Sequence, residues 1–576
     1  MLVVALTCAA IYHVVLTVST ALSSSLVYPF MDQFRINLRY LTAPFPESIL
    51  ALENGHRLIL PGLLRVLELE RFAGWPVLQT ATTWCGAAAA GLLLLWRVHR
   101  DLGLASVLGA TAVCAVGTLL YSNTNARIFI DAFDGVHIFW VAFFVVAAAV
   151  LTAGRSAAFG AAPWLAALVL CVGATFTFGP GIASFATVGV IAILRRRFGM
   201  AAMVAVTAVL VLVLYEFVLP GGTSVRRGVA TASPMLTPLY AAARMGAVAA
   251  EAVRTLELGA QARLAIGVAT GALVATAVGA SLVARWRQTP SFSQTELVGI
   301  GVFVFGSAAN VLIAIGRTQY FVEHPNELFA DRYVIWGCLA WLGAILYGVG
   351  ALRTGSLASK RVTRMRASAP YVLAGIVLAL SVAMVRSAVE INEWAGNVYR
   401  MSAMQAVAWR LQLPLDDRLA ELTDGDVPGA YRLIEEMRMR HLNLFEGSGS
   451  MAIGQRVPVS GAARSVPVRT SVVPTSDAER PVATLVSGVL PLDMNTPERH
   501  ADLWLASSDG RLVGRAAFTA PGDEAPALGR LGRSTLRAFD GYVPARQSGD
   551  LYLLWRTDAG VSTLARLVPQ PSATAP

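Results

Sequence analysis

Cysteine is scarce in this chain, and none of it lies where a disulfide framework would need it. The five cysteines among the 576 residues, Cys8, Cys85, Cys114, Cys171 and Cys338, all fall in apolar runs. A small disulfide-stabilised secreted scaffold carries paired cysteines in a hydrophilic chain. The sequence therefore excludes that class of protein.

Charge is also scarce, and the motifs of several enzyme classes are missing. Only 14% of the residues are charged, whereas 55% are hydrophobic. An ordinary soluble enzyme does not have this composition. No GxxxxGK[ST] motif, GxGxxG followed by an acid, or GxSxG motif is evident, which argues against nucleotide-driven transport and an elbow-type hydrolase. No His or Cys cluster has the spacing of a zinc site.

Long apolar runs dominate the first two thirds of the chain instead. Each is about 17–25 residues long, enough to cross ~30 Å of hydrocarbon. The first run could be a cleaved signal peptide, but it lacks the basic segment that such peptides carry. We predict a polytopic α-helical membrane protein with about eleven transmembrane helices, at 2–26, 75–96, 103–121, 137–153, 162–178, 182–194, 199–219, 261–284, 296–315, 334–352 and 371–389.

Arginine placement predicts the orientation of these spans. The net charge of +10 could indicate a nucleic-acid partner, but arginines beside hydrophobic spans usually set membrane orientation, so we expect no nucleic acid. One alternate set of loops holds the basic residues: Arg97 with Arg100, Arg155, Arg195 to Arg197, Arg285 with Arg287, and the run from Arg353 through Lys360 to Arg366. We predict a cytoplasmic N-terminus. The loops 28–74, 122–136, 220–260 and 316–333, and everything after about residue 390, would then lie outside.

The first outer loop carries several charged residues between two predicted spans. Apolar and charged residues alternate with helical spacing from Arg57 to Phe72, which predicts a helix lying along the membrane interface. A second such helix is expected around Phe34 to Leu41. Asp32 and the turn Glu53-Asn54-Gly55-His56-Arg57 would then lie at the ends of two surface helices.

Two further outer loops carry charge. The segment SNTNARIFIDAFDGVH contains Arg127, Asp131, Asp134 and His137. The segment GRTQYFVEHPNELFADRY contains Arg317, Glu323, His324, Glu327, Asp331 and Arg332. Three charged loops on one membrane face predict a functional site there.

These features resemble the GT-C superfamily of integral membrane glycosyltransferases. The resemblance covers the architecture of the whole chain. Its local sequence likeness lies in Met31-Asp32-Gln33, Glu53-Asn54-Gly55-His56-Arg57, Gly316-Arg317 and Asp331-Arg332-Tyr333. Members transfer sugar from a polyprenyl-phosphate or polyprenyl-pyrophosphate donor on the extracytoplasmic side. Many relatives carry two adjacent or near-adjacent acids in the first loop, whereas Gln33 follows Asp32 here.

The resemblance implies a bacterial inner-membrane enzyme that uses a polyprenyl-phosphate sugar donor. Its acceptor would be an envelope glycan, lipid or protein. A transporter or flippase of lipid-linked sugars is the main alternative, although such proteins carry polar or broken helices at mid-membrane depth. A glycan polymerase or ligase would share the same membrane face and donor class.

The chemistry of sugar transfer assigns roles to the loop residues. A base must remove the acceptor proton and cations must stabilise the departing phosphate. We expect Asp32 to be the catalytic base of an inverting displacement. The phosphate would be bound by Arg317 and Arg332, helped by His56, Arg57 and His324, and sugar or acceptor hydroxyls by Glu53, Asp131 and Asp134.

Each assignment has a structural alternative. Asp32 could simply cap the helix that follows it, and arginines that flank spans often reach headgroups without binding a ligand. His56 is as readily a hydrogen-bonded structural residue. No cofactor is expected, and a divalent ion at Asp131 and Asp134 would need a third oxygen donor.

The chain after the last span changes character. Residues 391–450 have amphipathic helical periodicity and predict a connector. Residues 451–570 alternate in short runs, with turns at Ser508-Asp509-Gly510 and Thr557-Asp558-Ala559-Gly560, and predict an extracytoplasmic β-sandwich. Four aromatic residues in these strands could form a sugar-stacking platform, although aromatics on half-buried strands more often belong to the core: Trp504, Tyr542, Tyr552 and Trp555.

Overall fold

The computed structural model is mostly helical up to residue 446 and mostly β after it. It describes residues 1–154, 161–220, 232–288, 292–354, 363–413, 420–423, 425–446, 451–460, 463–473, 483–491, 502–519, 536–544, 549–557 and 560–570. Several features of the sequence analysis lie outside these residues, namely Arg155, Lys360 and the Asp558-Ala559 turn.

Helices account for most of the region before residue 446, which also contains a short hairpin of β1 Leu52–Glu53 and β2 His56–Arg57. Their bounds are α1 Leu2–Ser24, α2 Gln33–Thr42, α3 Glu47–Leu50, α4 Ile59–Arg71, α5 Val77–Leu102, α6 Val107–Leu120, α7 Ala126–Ile130, α8 Ala132–Ala153, α9 Ala162–Thr177, α10 Ser184–Leu194, α11 Phe198–Val213, α12 Leu236–Met245, α13 Ala247–Ala252, α14 Ala260–Gln288, α15 Gln294–Glu323, α16 Asp331–Arg353, α17 Thr363–Leu411 and α18 Val427–Met439. A π-helical turn, Leu214–Val218, extends α11.

Nine helical segments in the described part of the chain are long and apolar enough to cross a membrane, so the protein is membrane-embedded. They are Leu2–Ser24, Val77–Leu102, Val107–Ile130, Ala132–Ala153, Phe198–Val218, Ala260–Arg287, Gln294–Glu323, Asp331–Arg353 and Ala367–Leu411. The two other predicted spans correspond to shorter apolar helices, Ala162–Thr177 and Gly179–Leu194. The sequence thus located all eleven apolar segments, but two of them are shorter than a typical membrane span.

The chain divides into two compact units that do not follow its order. The first comprises Met1–Ala21, Pro44–Val66 and Val77–Asn392. The second comprises Leu22–Ala43, Leu67–Pro76 and Glu393–Pro576. Two pieces of the region between α1 and α5 therefore belong to the same unit as the C-terminal region.

Close helix packing in the first unit places the ends of α15 and α16 side by side. Glycines allow this approach, because a Cβ atom at Gly343 would collide with the backbone of Phe303, and one at Gly299 with the backbone of Tyr347. Small residues at helix crossings are typical of membrane proteins. Arg317 lies six residues before Glu323, the last residue of α15, and Arg332 is the second residue of α16.

The second unit contains a closed β-barrel, so the predicted β-sandwich is wrong. Its strands are β3 Ser465–Val473, β4 Ala483–Pro491, β5 Leu503–Ser507, β6 Leu512–Thr519, β7 Leu536–Pro544, β8 Leu551–Thr557 and β9 Gly560–Pro569, in the spatial order β3-β4-β7-β6-β5-β8-β9. Parallel pairing of β3 with β9 closes the sheet, from Ser465 opposite Arg566 to Val468 opposite Pro569. Alternating burial is common to sandwiches and barrels, and only this long-range pairing distinguishes them.

The burial of aromatic side chains in the barrel distinguishes a role in its core from a role in binding sugar. Trp504, Tyr542 and Tyr552 are buried, and Trp555 packs against the barrel core. Burial of this kind favours the core interpretation over a sugar-stacking platform.

The segment that carries Asp32 is attached to the connector helices within the second unit. The backbone N–H of Met31 donates to the carbonyl of Leu422 at 2.7 Å. The ring of Phe34 packs edge-on against Trp409, with ring centroids 5.6 Å apart. The sequence predicted a helix in each of two parts of this region, and helices are present there as α2 and α4.

Candidate functional site

A tight β-hairpin in the first unit contains three of the predicted site residues, Glu53, His56 and Arg57. Leu52–Glu53 pairs with His56–Arg57, and Glu53 lies opposite His56. Asn54 and Gly55 form the turn with φ values of 48° and 81°. Positive φ at both positions defines a turn that the Asn-Gly sequence strongly favours. The local sequence therefore fixes the direction in which His56 leaves the backbone.

Arg57 is fully buried and is held by backbone carbonyls. Its Nε donates to the carbonyl of Tyr215 at 2.8 Å, and its Nη1 to those of Leu50 at 2.5 Å and Pro220 at 2.6 Å. Its Nη2 donates to the carbonyl of Leu219 at 3.0 Å. Leu50 is the last residue of α3, and the other three carbonyls lie in or just after the π-helical turn. Carbonyls at helix ends lack intrahelical donors, and Arg57 supplies donors to them. A structural role accounts for the Arg57 guanidinium without a phosphate ligand.

His56 lies against an aromatic stack. Its ring centroid is 4.6 Å from that of Phe178, and the Phe178 ring is stacked on His137 at 5.5 Å and on Trp336 at 6.1 Å. Burial, and then the positive charge of Arg317, lower the pKa of His56 to about 3. His56 is therefore a neutral imidazole at physiological pH.

Three arginines surround the ring of Tyr333. The guanidinium carbons of Arg244, Arg332 and Arg317 lie 4.8, 5.0 and 6.0 Å from its centroid. Contacts of this length are cation–π interactions. We call these four residues the Tyr333 cluster. The ends of α12, α15 and α16 bring them together.

The three arginines of the Tyr333 cluster differ in their other partners. Arg244 is buried and donates to the carbonyls of Leu328 at 3.2 Å and Tyr333 at 3.4 Å. Arg332 pairs with Glu327 at 3.1 Å. Arg317 lies over Tyr320 at 5.3 Å, and within the described part of the chain its guanidinium makes no ion pair or hydrogen bond.

The electrostatics of the Tyr333 cluster favour an anion. Burial lowers the pKa of Arg244 to about 9, and the charges of Arg317 and Arg332 act in the same direction, while Tyr333 opposes them. Like charges held close together repel, so a bound anion would relieve this repulsion. Guanidinium groups also match the geometry of phosphate oxygens.

Two carboxylates come from the segment after α7, and one of them, Asp134, interacts electrostatically with Arg332 of this cluster. Asp131 caps α8 by accepting from the N–H of Phe133 at 3.0 Å. Asp134 pairs with Arg127 at 2.8 Å and is within electrostatic range of Arg332. Burial, and then the charge of Asp134, raise the pKa of Asp131. Asp131 thus has a structural use as a cap, whereas Asp134 faces the cations.

The remaining predicted site residues are distributed as follows. Glu53 is buried in the hairpin, and His324 is exposed at the end of α15 beside Tyr320. Asp32 belongs to the second unit, where it pairs with Arg35 at 3.2 Å. Asp32 stands at the first position before α2, yet its side chain makes no capping hydrogen bond. The capping alternative for Asp32 is therefore not observed.

Arg244 is a site residue that was not predicted from the sequence. It lies in the segment LTPLYAAARM of a predicted outer loop, where a single basic residue follows apolar ones. That amphipathic pattern was the available signal, but only the packing of α12 beside α15 and α16 shows where Arg244 points. The part of the chain that the structure describes contains no group of three His, Cys, Asp or Glu side chains placed to hold a metal ion.

Comparisons with protein-family models, curated proteins and solved structures found no match to this chain. The site must therefore be interpreted from its own chemistry. Cationic groups, one of them uncommitted, lie beside an aromatic ring at the ends of membrane-spanning helices. The charges of such a site favour a bound anion.

Proposed function

We propose that this protein is a membrane glycosyltransferase of the GT-C kind. It would transfer a sugar from a polyprenyl-phosphate donor to an envelope glycan, lipid or protein on the extracytoplasmic face of a bacterial inner membrane. The proposal rests on one observation above all. Arg317 lies in a group of three arginines at helix ends, and its guanidinium has no protein anion as a partner among the described residues.

The position of the Tyr333 cluster suits a lipid-linked donor. Arg317 and Arg332 lie near the adjoining ends of two apolar helices, Gln294–Glu323 and Asp331–Arg353. A charged group at such a depth is costly unless it is paired or functional. A polyprenyl phosphate would supply the missing anion and leave its apolar chain among the spans.

The proposed reaction is a direct displacement at the anomeric carbon. The acceptor oxygen forms the new bond to C1 as the bond from C1 to the phosphate oxygen breaks, so the configuration inverts. Arg317 and Arg332 stabilise the charge that develops on the departing phosphate. A carboxylate takes the proton from the acceptor hydroxyl, and the carrier phosphate leaves as the second product. Asp32 is the candidate for this base that the sequence predicts.

The other predicted residues receive different roles in this proposal. His56 is neutral and lies beside Phe178, so it is suited to hydrogen-bonding sugar hydroxyls rather than to neutralising phosphate. Asp134 faces the same cations and is the second candidate for the base. Arg57 is left out, because backbone carbonyls occupy its guanidinium.

The test uses the purified protein in lipid nanodiscs with radiolabelled polyprenyl-phosphate sugars and an envelope-extract acceptor. Wild-type protein should transfer label. Asp32→Asn should bind donor normally and lose transfer by about 10²-fold or more, as removal of a general base predicts. Asp134→Asn, measured in parallel, identifies the base if Asp32→Asn retains transfer.

Two results would overturn the proposal. Donor binding with no transfer to any acceptor, combined with movement of the donor between leaflets of a vesicle, would identify a flippase. Absence of donor binding by the wild-type protein would remove the basis of the proposal altogether.

A further inference from the structure

Two buried ring nitrogens in the first unit have no hydrogen-bond partner among the described residues. They are Nε2 of His137 and Nε1 of Trp336. His137 is only 4% exposed, and Trp336 is fully buried. A buried nitrogen that is left without a hydrogen bond costs stability, so most such groups in native proteins have a partner. Two of them in one place are the mark of a site for a bound group.

Both nitrogens belong to rings that stack on Phe178. The Phe178 ring centroid is 5.5 Å from that of His137 and 6.1 Å from that of Trp336, and the ring planes differ by 7° and 17°. Edge-on contacts hold the same two rings from other sides, with Phe133 4.3 Å from His137 and Phe305 5.8 Å from Trp336 between centroids. We call His137, Phe178 and Trp336 the Phe178 stack. Its packing fixes the orientation of both nitrogens.

The Phe178 stack lies one helical turn further along two helices than the charged groups of the candidate site. Trp336 follows Arg332 by four residues on α16, so the two side chains share a face of that helix, about 6 Å apart along its axis. His137 follows Asp134 by three residues on α8, and Asp134 interacts electrostatically with both His137 and Arg332. A ligand whose anion contacts the arginines would therefore present its adjoining atoms to the stack.

The chemistry of the Phe178 stack differs from that of the Tyr333 cluster. An indole N–H can only donate, and an imidazole nitrogen can donate or accept. Neither group has the permanent charge of a guanidinium, so the stack selects a ligand by hydrogen bonding. A buried donor of this kind recognises an uncharged oxygen, in a hydroxyl or a carbonyl group. It disfavours a ligand without that oxygen, because the donor then stays unpaired.

We propose that His137 and Trp336 are specificity-determining residues, which recognise an uncharged oxygen-bearing group next to the phosphate at the Tyr333 cluster. Nε1 of Trp336 donates to one oxygen of that group, and Nε2 of His137 bonds a second. The inference rests on the proposed function, in which the group next to the phosphate is the sugar of the donor. It adds which residues distinguish this donor from the bare carrier phosphate that remains after transfer.

The test compares two kinds of lipid for binding to the full-length protein in nanodiscs of neutral lipid. One is polyprenyl phosphate, and the other is the same lipid with glucose, mannose or arabinose on its phosphate. The wild-type protein should bind at least one sugar-bearing lipid. Trp336→Phe should weaken binding of that lipid by about three- to tenfold, the loss expected for one hydrogen bond, and leave binding of bare polyprenyl phosphate unchanged. His137→Phe should have the same selective effect.

Trp341→Phe is the matched control on the same helix. Nε1 of Trp341 already donates to the carbonyl of Met245 at 2.9 Å. Its replacement should therefore leave the ratio of the two affinities unchanged. Retained binding of bare polyprenyl phosphate shows in each variant that the site is folded.

The variants also separate failure of this inference from failure of the proposed function. Arg317→Gln should weaken binding of both lipids alike, because both carry the phosphate. The inference is overturned if Trp336→Phe and His137→Phe weaken both lipids equally or weaken neither, which is the result expected if only ordered water meets the two nitrogens. Absence of binding of either lipid by the wild-type protein overturns the proposed function, and this inference with it.

Discussion

Two arginines of the first unit, Arg57 and Arg317, occupy contrasting surroundings. Arg57 lies in a hairpin, and its guanidinium donates to four backbone carbonyls. Arg317 lies over two tyrosine rings at the end of α15. Both were expected to bind phosphate. The difference teaches that the function of a guanidinium depends on which acceptors the fold has already supplied.

Replacement of Arg57 should cause the largest loss of stability among these predictions. Arg57→Gln leaves several buried carbonyls without their donors, and we expect the free energy of unfolding to fall by about 3–5 kcal/mol. Denaturant or thermal unfolding in detergent would measure this loss. Arg57→Lys should lose less. A stable Arg57→Gln protein with impaired donor binding would instead make Arg57 a ligand.

Replacement of Arg317, unlike that of Arg57, should weaken donor binding and leave the stability of the fold unchanged. We expect Arg317→Gln to weaken donor binding and transfer by about 10²-fold, since a bidentate charged contact to phosphate is lost. The unfolding free energy should change by less than about 0.5 kcal/mol. Arg317→Lys should recover part of the binding. Unchanged donor affinity in Arg317→Gln would show that Arg317 is not a phosphate ligand.

His56 lies in close contact with Gly179, so a substitution of this glycine should displace the imidazole. A Cβ atom at Gly179 would collide with Nδ1 of His56. We expect Gly179→Ala to lower the unfolding free energy by about 1–3 kcal/mol, the usual effect of overpacking. Gly199→Ala is the matched control, because a Cβ atom there meets nothing within 4 Å. Equal stability of the two variants would contradict a tight contact at His56.

The smallest expected effect is a pH dependence caused by His56. Its pKa in the folded protein is about 3, below the ordinary value of about 6.5. Below about pH 6.5 the unfolded chain therefore binds a proton at His56 that the folded protein does not bind. The free energy of unfolding then decreases as the pH is lowered, by at most about 1.4 kcal/mol per pH unit. Unfolding measured between about pH 7 and about pH 5 should be less pH-dependent in His56→Gln. An identical dependence in wild type and variant would contradict a neutral His56.

The amount that the sequence could predict differs between the units. In the first unit, each apolar run was long enough to predict a helix, because a membrane-embedded backbone must satisfy its own hydrogen bonds. The Asn54-Gly55 pair also predicted its turn correctly. In the second unit, strand alternation predicted β structure but not the barrel, since closure requires Ser465 to find Arg566 about a hundred residues later.

Amino-acid composition and periodicity by themselves determined that this is a helical membrane protein with a β-rich C-terminal region, because those properties follow from local hydrophobic patterns. The tertiary structure alone decided which groups each arginine meets. Arg244 joins Arg317 and Arg332 at Tyr333, and Arg410, Arg515 and Arg556 meet at Asp502. Side-chain partners of this kind are set by packing between segments that are distant along the chain, which no local pattern encodes.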